Sequence, residues 1–237
     1  MQPEPTFWPG SSTELEALQR TLAERSEREP AWHHQEDRPP AVGAVFAATP
    51  RRVVGAGAAG QRAWAAAVVV FRRRMVDSVV VVDRFDAPYA PGLLALREGR
   101  LLEQVVRRLE HTPDVLIVNA TGRDHPRRAG LTVHLGAACG LPTIGVTDRP
   151  LIAVGAEPGP DAGAAAELRL EGELVGYRLR TRAGARAVVV HAGWRVDAET
   201  ALAVVLSVSA RGRTPEPLRQ ARRLARTSRS ATGETRS

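Results

Sequence analysis

The strand–helix–strand pattern of residues 113–146 limits the possible folds more than any other feature of this sequence. The run "PDVLIVN" is apolar, and "AGLTVHLGAACG" after it has the apolar spacing of a helix and ends at a glycine. A second buried strand, "LPTIGV", comes next. Consecutive buried strands joined by a helix are typical of a parallel arrangement. We therefore predict an α/β fold.

Other segments complete the predicted sheet and its helices. Three β-rich runs, "AVGAVFAA", "WAAAVVVF" and "SVVVVDRF", follow one another at hairpin distances and predict three antiparallel strands. Helices are predicted at residues 13–27, in "PGLLALREGRLLEQVVRRLEH", and in "DAETALAVVLSVSARG", where Asp197 is the expected N-cap. "ELVGYRLRT" and "RAVVVHAG" predict a hairpin before the last of these helices. The result is a mixed sheet with helices packed on it.

We expect one domain with two loose ends. Residues 1–12 are proline-rich and predict a flexible leader, residues 13–210 hold the domain, and residues 211–237 predict a basic, disordered tail. The net charge is +7, all 33 basic residues are arginine, and much of the excess lies in that tail. Arginine suits a nucleic-acid partner, although a GC-rich coding sequence would give the same composition.

The cysteine and hydropathy patterns exclude several classes of protein. Cys139 is the single cysteine, so an internal disulfide is impossible. The sequence has neither an apolar signal segment nor a run of about 18 apolar residues that could span a membrane. We expect a cytoplasmic monomer with no membrane association.

One carboxylate lies on a face of a predicted helix that should be buried. Glu98 shares a stripe with Leu94, Leu101 and Val105, because these residues are spaced four, three and four apart. Burying an unpaired carboxylate costs several kcal/mol, so Glu98 should meet a metal, an arginine or a proton donor. The structural alternative is that Glu98 reaches solvent at the end of the helix or pairs with Arg97 or Arg100.

Two loops carry the other candidate groups. Prolines bracket Tyr89 in "DAPYAPGLL", and this stiff turn would present the ring to a nucleobase or simply staple the turn. The loop "VNATGRDHPRRAG" follows a predicted strand and carries His125 with Arg127 and Arg128, which would suit a phosphate near a helix N-terminus. Asn119, at the tip of that strand, is an amide and is a poor metal ligand.

Several of these motifs together resemble the endonuclease V family, nucleases that cut DNA or RNA near inosine. The resemblance rests on "PYAPGLLALREG", "PDVLIVNATGRDHPRRAGLTVHLG", "LPTIGV", "HAGWRVDAETA" and "TPEPLRQA", and it extends over roughly residues 13–226. It implies an RNase H-like fold, with a mixed five-stranded sheet flanked by helices. It also implies Mg²⁺- or Mn²⁺-dependent cleavage, with Glu98 and His125 at working positions, Tyr89 as a base wedge, and Gly92 and Gly122 leaving room for the base.

The same resemblance exposes departures from the family pattern. Val45 and Asn119 stand where the family has acidic metal ligands, Asp148 stands where it has a lysine, and Trp194 stands where it has a histidine. Valine offers no oxygen and asparagine only a neutral one, so a divalent ion would be held weakly.

We therefore predict an endonuclease V-like pseudoenzyme that binds DNA or RNA, including inosine-containing strands, and needs no cofactor. Its metal-dependent cleavage is expected to be lost or strongly impaired. Tyr89 would wedge at a base, and Arg127 and Arg128 would hold phosphates. One alternative is a residual or re-sited inosine-specific endonuclease of DNA repair or RNA processing that uses Glu98, Asp148 and His125 with Mg²⁺ or Mn²⁺. Another is an interaction scaffold without a nucleic-acid role.

Overall fold

The computed structural model describes residues 7–33, 38–209 and 212–232. Within these residues the chain forms eight strands and five helices. The strands are β1 (Val42–Ala48), β2 (Arg62–Phe71), β3 (Arg74–Arg84), β4 (Val115–Val118), β5 (Thr143–Thr147), β6 (Ala165–Leu170), β7 (Glu173–Leu179) and β8 (Val188–Ala192). The helices are α1 (Ser12–Arg28), α2 (Leu94–Val106), α3 (Leu131–Cys139), α4 (Ala198–Ser207) and α5 (Glu216–Ala231).

All eight strands form one mixed sheet in the order β3-β2-β1-β4-β5-β8-β7-β6. The first three strands along the chain are antiparallel neighbours, and β1, β4 and β5 are parallel, as the sequence predicts. The predicted mixed sheet flanked by helices is confirmed, but the strand count of five is wrong, because the sheet has eight strands within the described residues. The predicted hairpin of β7 and β8 continues the sheet because β8 pairs with β5, and β6 adds a further edge strand. Sequence analysis does not predict β6, because its segment AAELRL has no β-branched residue.

Helices cover the sheet on both faces. α1, α2 and α3 pack on the face that includes Val45 and Val118, whereas α4 and α5 pack on the face that includes Ala44 and Ile117. This alternation follows from the two-residue side-chain period of a strand. Asp197 caps α4 by accepting a hydrogen bond from the Thr200 amide, as predicted, and α3 ends at Gly140 in the left-handed region.

The expectation of a disordered basic tail is wrong for residues 216–231, which form α5. Leu218, Ala221 and Ala225 are fully buried on one side of this helix, and α5 packs against β1 and β2. Their spacing of three and four residues is an apolar helical stripe, which the dense arginine content conceals in a composition-based analysis. Residues 210–211 and 233–237 of the predicted tail lie outside the described residues.

The expected flexible leader is likewise packed where it is described. The Trp8 ring stacks on His134 of α3 with 4.6 Å between ring centroids, and Phe7 lies at the edge of the same imidazole. Ser11 caps α1 through a reciprocal capping box with Glu14. Residues 1–6 of the leader lie outside the described residues. No helix among the described residues is long and apolar enough to cross a membrane.

Candidate functional site

A cavity of about 200 Å³ lies where the carboxyl ends of β1 and β4 meet the start of α2. Val45 pairs with Val118 in the parallel register, so Asn119 follows directly beside the end of β1. Val45, Asn119 and Glu98 all line this cavity, together with Tyr89. The structure therefore brings together the three positions at which the sequence resemblance implies a metal site. We call this the Glu98 cavity.

Val45 contributes only hydrocarbon to the Glu98 cavity. Its side chain is fully buried and belongs to the hydrophobic core formed with α2 and α3. Val45 therefore contributes to the hydrophobic core at the position where a metal site would need an oxygen ligand.

Asn119 is engaged by an arginine. The Nη2 atom of Arg222, on α5, donates a hydrogen bond of 2.5 Å to Oδ1 of Asn119. Burial lowers the pKa of the Arg222 guanidinium and nearby Asp148 raises it, but an arginine remains charged at any physiological pH. A fixed positive charge therefore lies on the one side-chain oxygen that Asn119 could offer to a metal ion.

Among the residues that the structure describes, Glu98 is the one carboxylate that lines the Glu98 cavity. Burial raises its pKa to about 7, and the charge of adjacent Arg97 opposes this rise. The Arg97 guanidinium is directed elsewhere, because it donates to the Ala87 carbonyl at 2.7 Å and to Gln61 at 2.9 Å. Within the described residues no ion pair of Glu98 is found, and Arg100 pairs with Asp86 instead, so the alternative of an ion pair with Arg97 or Arg100 is not supported. Glu98 is therefore only partly ionised at neutral pH.

These donors do not fit a divalent metal ion. Mg²⁺ prefers several charged oxygens in near-octahedral geometry, and the Glu98 cavity offers one partly protonated carboxylate, an amide bonded to arginine, and a valine. Across residues 7–33, 38–209 and 212–232, no group of three or more His, Cys, Asp and Glu side chains is placed to hold a metal.

Other aspartates near the strand ends are held by other partners. Asp148 forms an ion pair of 2.7 Å with Arg213, which lowers its pKa, and Asp86 lies 3.4 Å from Arg100. Asp124 is fully buried and accepts hydrogen bonds of 2.7, 2.9 and 2.7 Å from the amides of Leu151, Ile152 and Ala153. The fourth family departure, Trp194, is buried in the core against α1 and α3. None of these three aspartates lines the Glu98 cavity.

A second cavity of about 220 Å³ adjoins the first, with Tyr89 and Asn119 lining both. Its wall also includes His125, Gly92, and Leu151 of the loop that Asp124 holds. The Tyr89 side chain is 50% exposed, and its turn is fixed by a hydrogen bond from the Tyr89 amide to the Ala56 carbonyl. We call this space the Tyr89 pocket. An exposed aromatic ring at its rim suits a flat ligand.

Hydrogen bonds to the backbone hold the His125 ring in place, so neither ring nitrogen is free to transfer a proton. Its Nε2 lies 3.0 Å from the Gly92 carbonyl, and its Nδ1 accepts a hydrogen bond of 3.2 Å from the Arg127 amide. A carbonyl can only accept and an amide can only donate, so this geometry selects the neutral tautomer with a proton on Nε2. Burial lowers the pKa of His125 to about 4, which keeps the ring neutral. Both nitrogens are thus occupied by the backbone.

The two glycines of the candidate site have different roles. Gly92 has φ of +73°, a conformation that side chains disfavour, and a Cβ there would approach His125 Nε2 to 3.5 Å at the pocket wall. Gly122 lies outside the pocket lining, and a Cβ there would be 1.9 Å from the Ala192 carbonyl oxygen of β8. Gly122 therefore permits close packing of the loop on β8.

The predicted phosphate-holding arginines are paired with carboxylates of the protein itself. Arg128 lies 2.9 Å from Glu171 and 3.2 Å from Glu173. Arg127 lies 3.7 Å from Glu16 and donates 2.6 and 3.1 Å hydrogen bonds to Gln19 and the Gly92 carbonyl. Each side chain is less than a fifth exposed. A phosphate would have to compete with these partners.

Sequence analysis missed two residues of this region, Arg222 and His191. Arg222 lies in the segment predicted to be disordered, although the apolar stripe of α5 would have revealed a packed helix. Fully buried His191, on β8, lies 2.7 Å from the Thr147 hydroxyl and 3.7 Å from Asp124, which anchors the pocket loop. No local sequence signal indicates these contacts, since His191 follows Asp124 by 67 positions.

Comparison with known proteins identifies related sequences and structures. The profile of the endonuclease V family matches residues 42–223. The chain is 47% identical over 161 residues to endonuclease V of Nocardia farcinica, covering 67% of this chain and 70% of that protein. The crystal structure of endonuclease V from Streptomyces avermitilis superposes with a TM-score of 0.81 at 34% identity, over 97% of this chain and 98% of that one.

A structure with bound nucleic acid shares the fold. Endonuclease V of Ciona intestinalis, crystallised with a 24mer DNA containing an inosine followed by a ribo-adenosine, superposes with a TM-score of 0.74 at 19% identity. The match covers 93% of this chain and 98% of that one.

Proposed function

The chain belongs to the endonuclease V family, and from that premise we propose that it binds inosine-containing nucleic acid while metal-dependent cleavage is lost or strongly impaired. It is in this sense a pseudoenzyme of a nuclease family.

The hydrogen bond from Arg222 to Asn119 is the observation that carries the proposal. Metal-assisted hydrolysis of a phosphodiester depends on an ion that generates hydroxide and offsets charge on the leaving oxygen. At the Glu98 cavity a guanidinium already donates a hydrogen bond to the Asn119 amide oxygen, and Val45 provides no ligand. A metal ion at this position would have to displace the Arg222 guanidinium from Asn119 and would remain close to its positive charge. At short range this repulsion costs several kcal/mol.

The binding half of the proposal is supported by the Tyr89 pocket. Tyr89 is half exposed beside a cavity whose lining mixes small, apolar and polar residues, and such a ring can stack on or wedge beside a base. The Ciona intestinalis relative was crystallised with inosine-containing DNA, and its fold extends over most of this chain.

The rival hypothesis of a residual endonuclease uses Glu98, Asp148 and His125. The ion pair between Asp148 and Arg213 and the two backbone hydrogen bonds of His125 argue against it. The third hypothesis, a scaffold without a nucleic-acid role, predicts that no oligonucleotide binds. Binding and cleavage assays on the same oligonucleotides distinguish both of these hypotheses from the proposed function.

The test uses labelled DNA and RNA oligonucleotides with one inosine, and matched oligonucleotides with adenosine instead. Binding at low salt in EDTA should favour the inosine-containing strands, and incubation with Mg²⁺ or Mn²⁺ should leave them uncut. Undetectable binding to every strand would support the scaffold. Nicking at inosine that disappears in Glu98→Gln would establish the residual enzyme instead.

A further inference from the structure

The outer face of α5 carries a row of arginines above its buried stripe. Leu218, Ala221 and Ala225 face the sheet. The arginines of the helix are Arg219, Arg222, Arg223, Arg226 and Arg229. Glu216 is the only acidic residue in the helix, so this surface is strongly positive.

Most of these arginines lack an acidic partner. Arg219 pairs with Glu216. In the part of the chain that the structure describes, no carboxylate lies within 4.0 Å of Arg222, Arg223, Arg226 or Arg229, whereas Arg123, Arg127 and Arg128 near the Tyr89 pocket all have one. The positive charge of α5 is therefore available to an external anion.

The arginine row is continuous with the Glu98 cavity. Arg222 reaches Asn119, and the guanidinium carbons of Arg222 and Arg226 lie 5.5 and 5.7 Å from the centroid of the Phe46 ring. Phe46 immediately follows Val45 in β1. The Phe46 ring therefore lies beside two arginine side chains next to the cavity, Arg222 and Arg226. Arg222 has one N–H donor, on its buried Nε, that makes no hydrogen bond within the described residues.

We propose that α5 is the surface that binds the phosphate backbone of the nucleic acid. Arg222 neutralises the phosphate nearest the Glu98 cavity, and Arg223 and Arg226 contact phosphates farther along the strand, so binding requires no divalent ion. This inference rests on the proposed function, because it names the residues that hold the strand whose base enters the Tyr89 pocket.

Helix geometry supports this role. Arg222 and Arg226 are one turn apart, a rise of about 6 Å, which is close to the axial rise of about two nucleotides of a B-form strand. An arginine fork can bind a phosphate through two hydrogen bonds. Each phosphate contact also releases counterions, so the dependence of affinity on salt reports the number of contacts.

The test compares two variants that remove the same charge. Arg223→Gln with Arg226→Gln alters the exposed side of α5. The control is Arg74→Gln with Arg108→Gln. Arg74 begins β3 and pairs with the last residue of β2, and this end of β2 lies beside the start of β1. The Glu98 cavity is at the other end of β1, so Arg74 lies at the opposite end of the sheet. Arg108 follows the far end of α2. Thermal unfolding verifies that all proteins fold, and fluorescence anisotropy over a salt series gives the affinity for an inosine-containing strand.

The α5 variant should lower the slope of log affinity against log salt by about 1.4 to 1.8, which corresponds to two lost phosphate contacts. The control should keep a slope closer to that of the unsubstituted protein, and EDTA should change neither. Binding of the unsubstituted protein with equal slopes for the two variants would overturn the role of α5 alone. Loss of binding in EDTA would also overturn it, whereas failure of the unsubstituted protein to bind any strand would overturn the proposed function as well.

Discussion

Arg222 and Asn119 lie 103 positions apart in the sequence and are joined by a hydrogen bond of 2.5 Å at the carboxyl end of β4. Arg222 comes from the face of the sheet covered by α4 and α5. Glu98 comes from the opposite face, on α2. The two helices therefore approach the carboxyl ends of β1 and β4 from opposite faces. There Glu98 lines the cavity, and Arg222 bonds the Asn119 oxygen that a metal ion would need.

Asn119→Asp should stabilise the protein without creating a metal site. The substituted carboxylate would form a charge-assisted bond with Arg222, which is roughly twice as strong as the neutral one. We expect a gain of about 1 kcal/mol in the free energy of unfolding. Urea unfolding with and without Mn²⁺ measures both effects. A Mn²⁺-dependent increase in stability in this single variant would show that Arg222 does not block the ion.

Removing Arg222 as well should create a metal site. In the triple variant Val45→Asp, Asn119→Asp and Arg222→Leu, three carboxylates would face the Glu98 cavity. Like charges at short distance should destabilise this protein in EDTA, and Mn²⁺ should restore stability by about 2.7 kcal/mol at a concentration of one hundred dissociation constants. Thermal unfolding across a Mn²⁺ series measures this. Adding Glu98→Gln should weaken the response, and an unchanged response would contradict the geometry.

Tyr89→Ala should weaken binding to inosine-containing strands with little effect on stability. The ring is half exposed, so its removal should change the free energy of unfolding by no more than about 0.5 kcal/mol. Loss of stacking on a base is worth about 1–3 kcal/mol, or roughly 5- to 150-fold in affinity. Tyr89→Phe keeps the ring and should bind normally. If both variants bind as tightly as the unsubstituted protein, Tyr89 only staples its turn.

Acid should destabilise the protein between pH 6.5 and about 4. Burial lowers the pKa of His125, His134 and His191, and His125 and His134 reach about 4 against 6.5 in the unfolded chain. In this window the unfolded chain binds more protons, so stability is complete above pH 6.5 and is lost as pH falls. His125 and His134 should each contribute roughly 3 kcal/mol across the window, since one pKa unit corresponds to about 1.4 kcal/mol.

Urea unfolding over a pH series tests this dependence. Glu98 acts in the opposite direction between pH 4.5 and about 7, because its raised pKa makes the folded protein bind the extra proton. His134→Phe preserves an aromatic ring beside Trp8 and should flatten the acid limb. Glu98→Gln should steepen it. An unchanged limb in both variants would exclude these groups as the cause.

Asp124→Asn should loosen the loop that forms one wall of the Tyr89 pocket. The buried carboxylate accepts hydrogen bonds from three successive amides, and an asparagine would turn a donor group toward at least one of them. We expect a loss of about 2–4 kcal/mol. Hydrogen exchange should show faster exchange at residues 151–153. Asp83→Asn is a matched control and should change little. In the part of the chain that the structure describes, exposed Asp83 accepts a hydrogen bond only from the adjacent Arg84 amide.

The sequence by itself determined the central elements of the fold and the chemical deficit of the site. The strands β1 and β4 and the helix α2 are predictable because their side-chain periods depend on local backbone geometry, and the helical spacing puts Glu98 on the apolar face of α2. The caps of α1 and α4 are similarly local. The absence of carboxylates at residues 45 and 119 is legible from the sequence alone.

Only the tertiary structure decided what occupies the place of those carboxylates. The Arg222–Asn119 bond, the ion pairs of Arg127 and Arg128, and the loop held by Asp124 all join residues from different elements. Such contacts depend on how whole helices pack across the sheet. The packing of the helices and the positions of nearby acidic residues decide which partner a long, flexible arginine finds. Local sequence periodicity encodes neither of these.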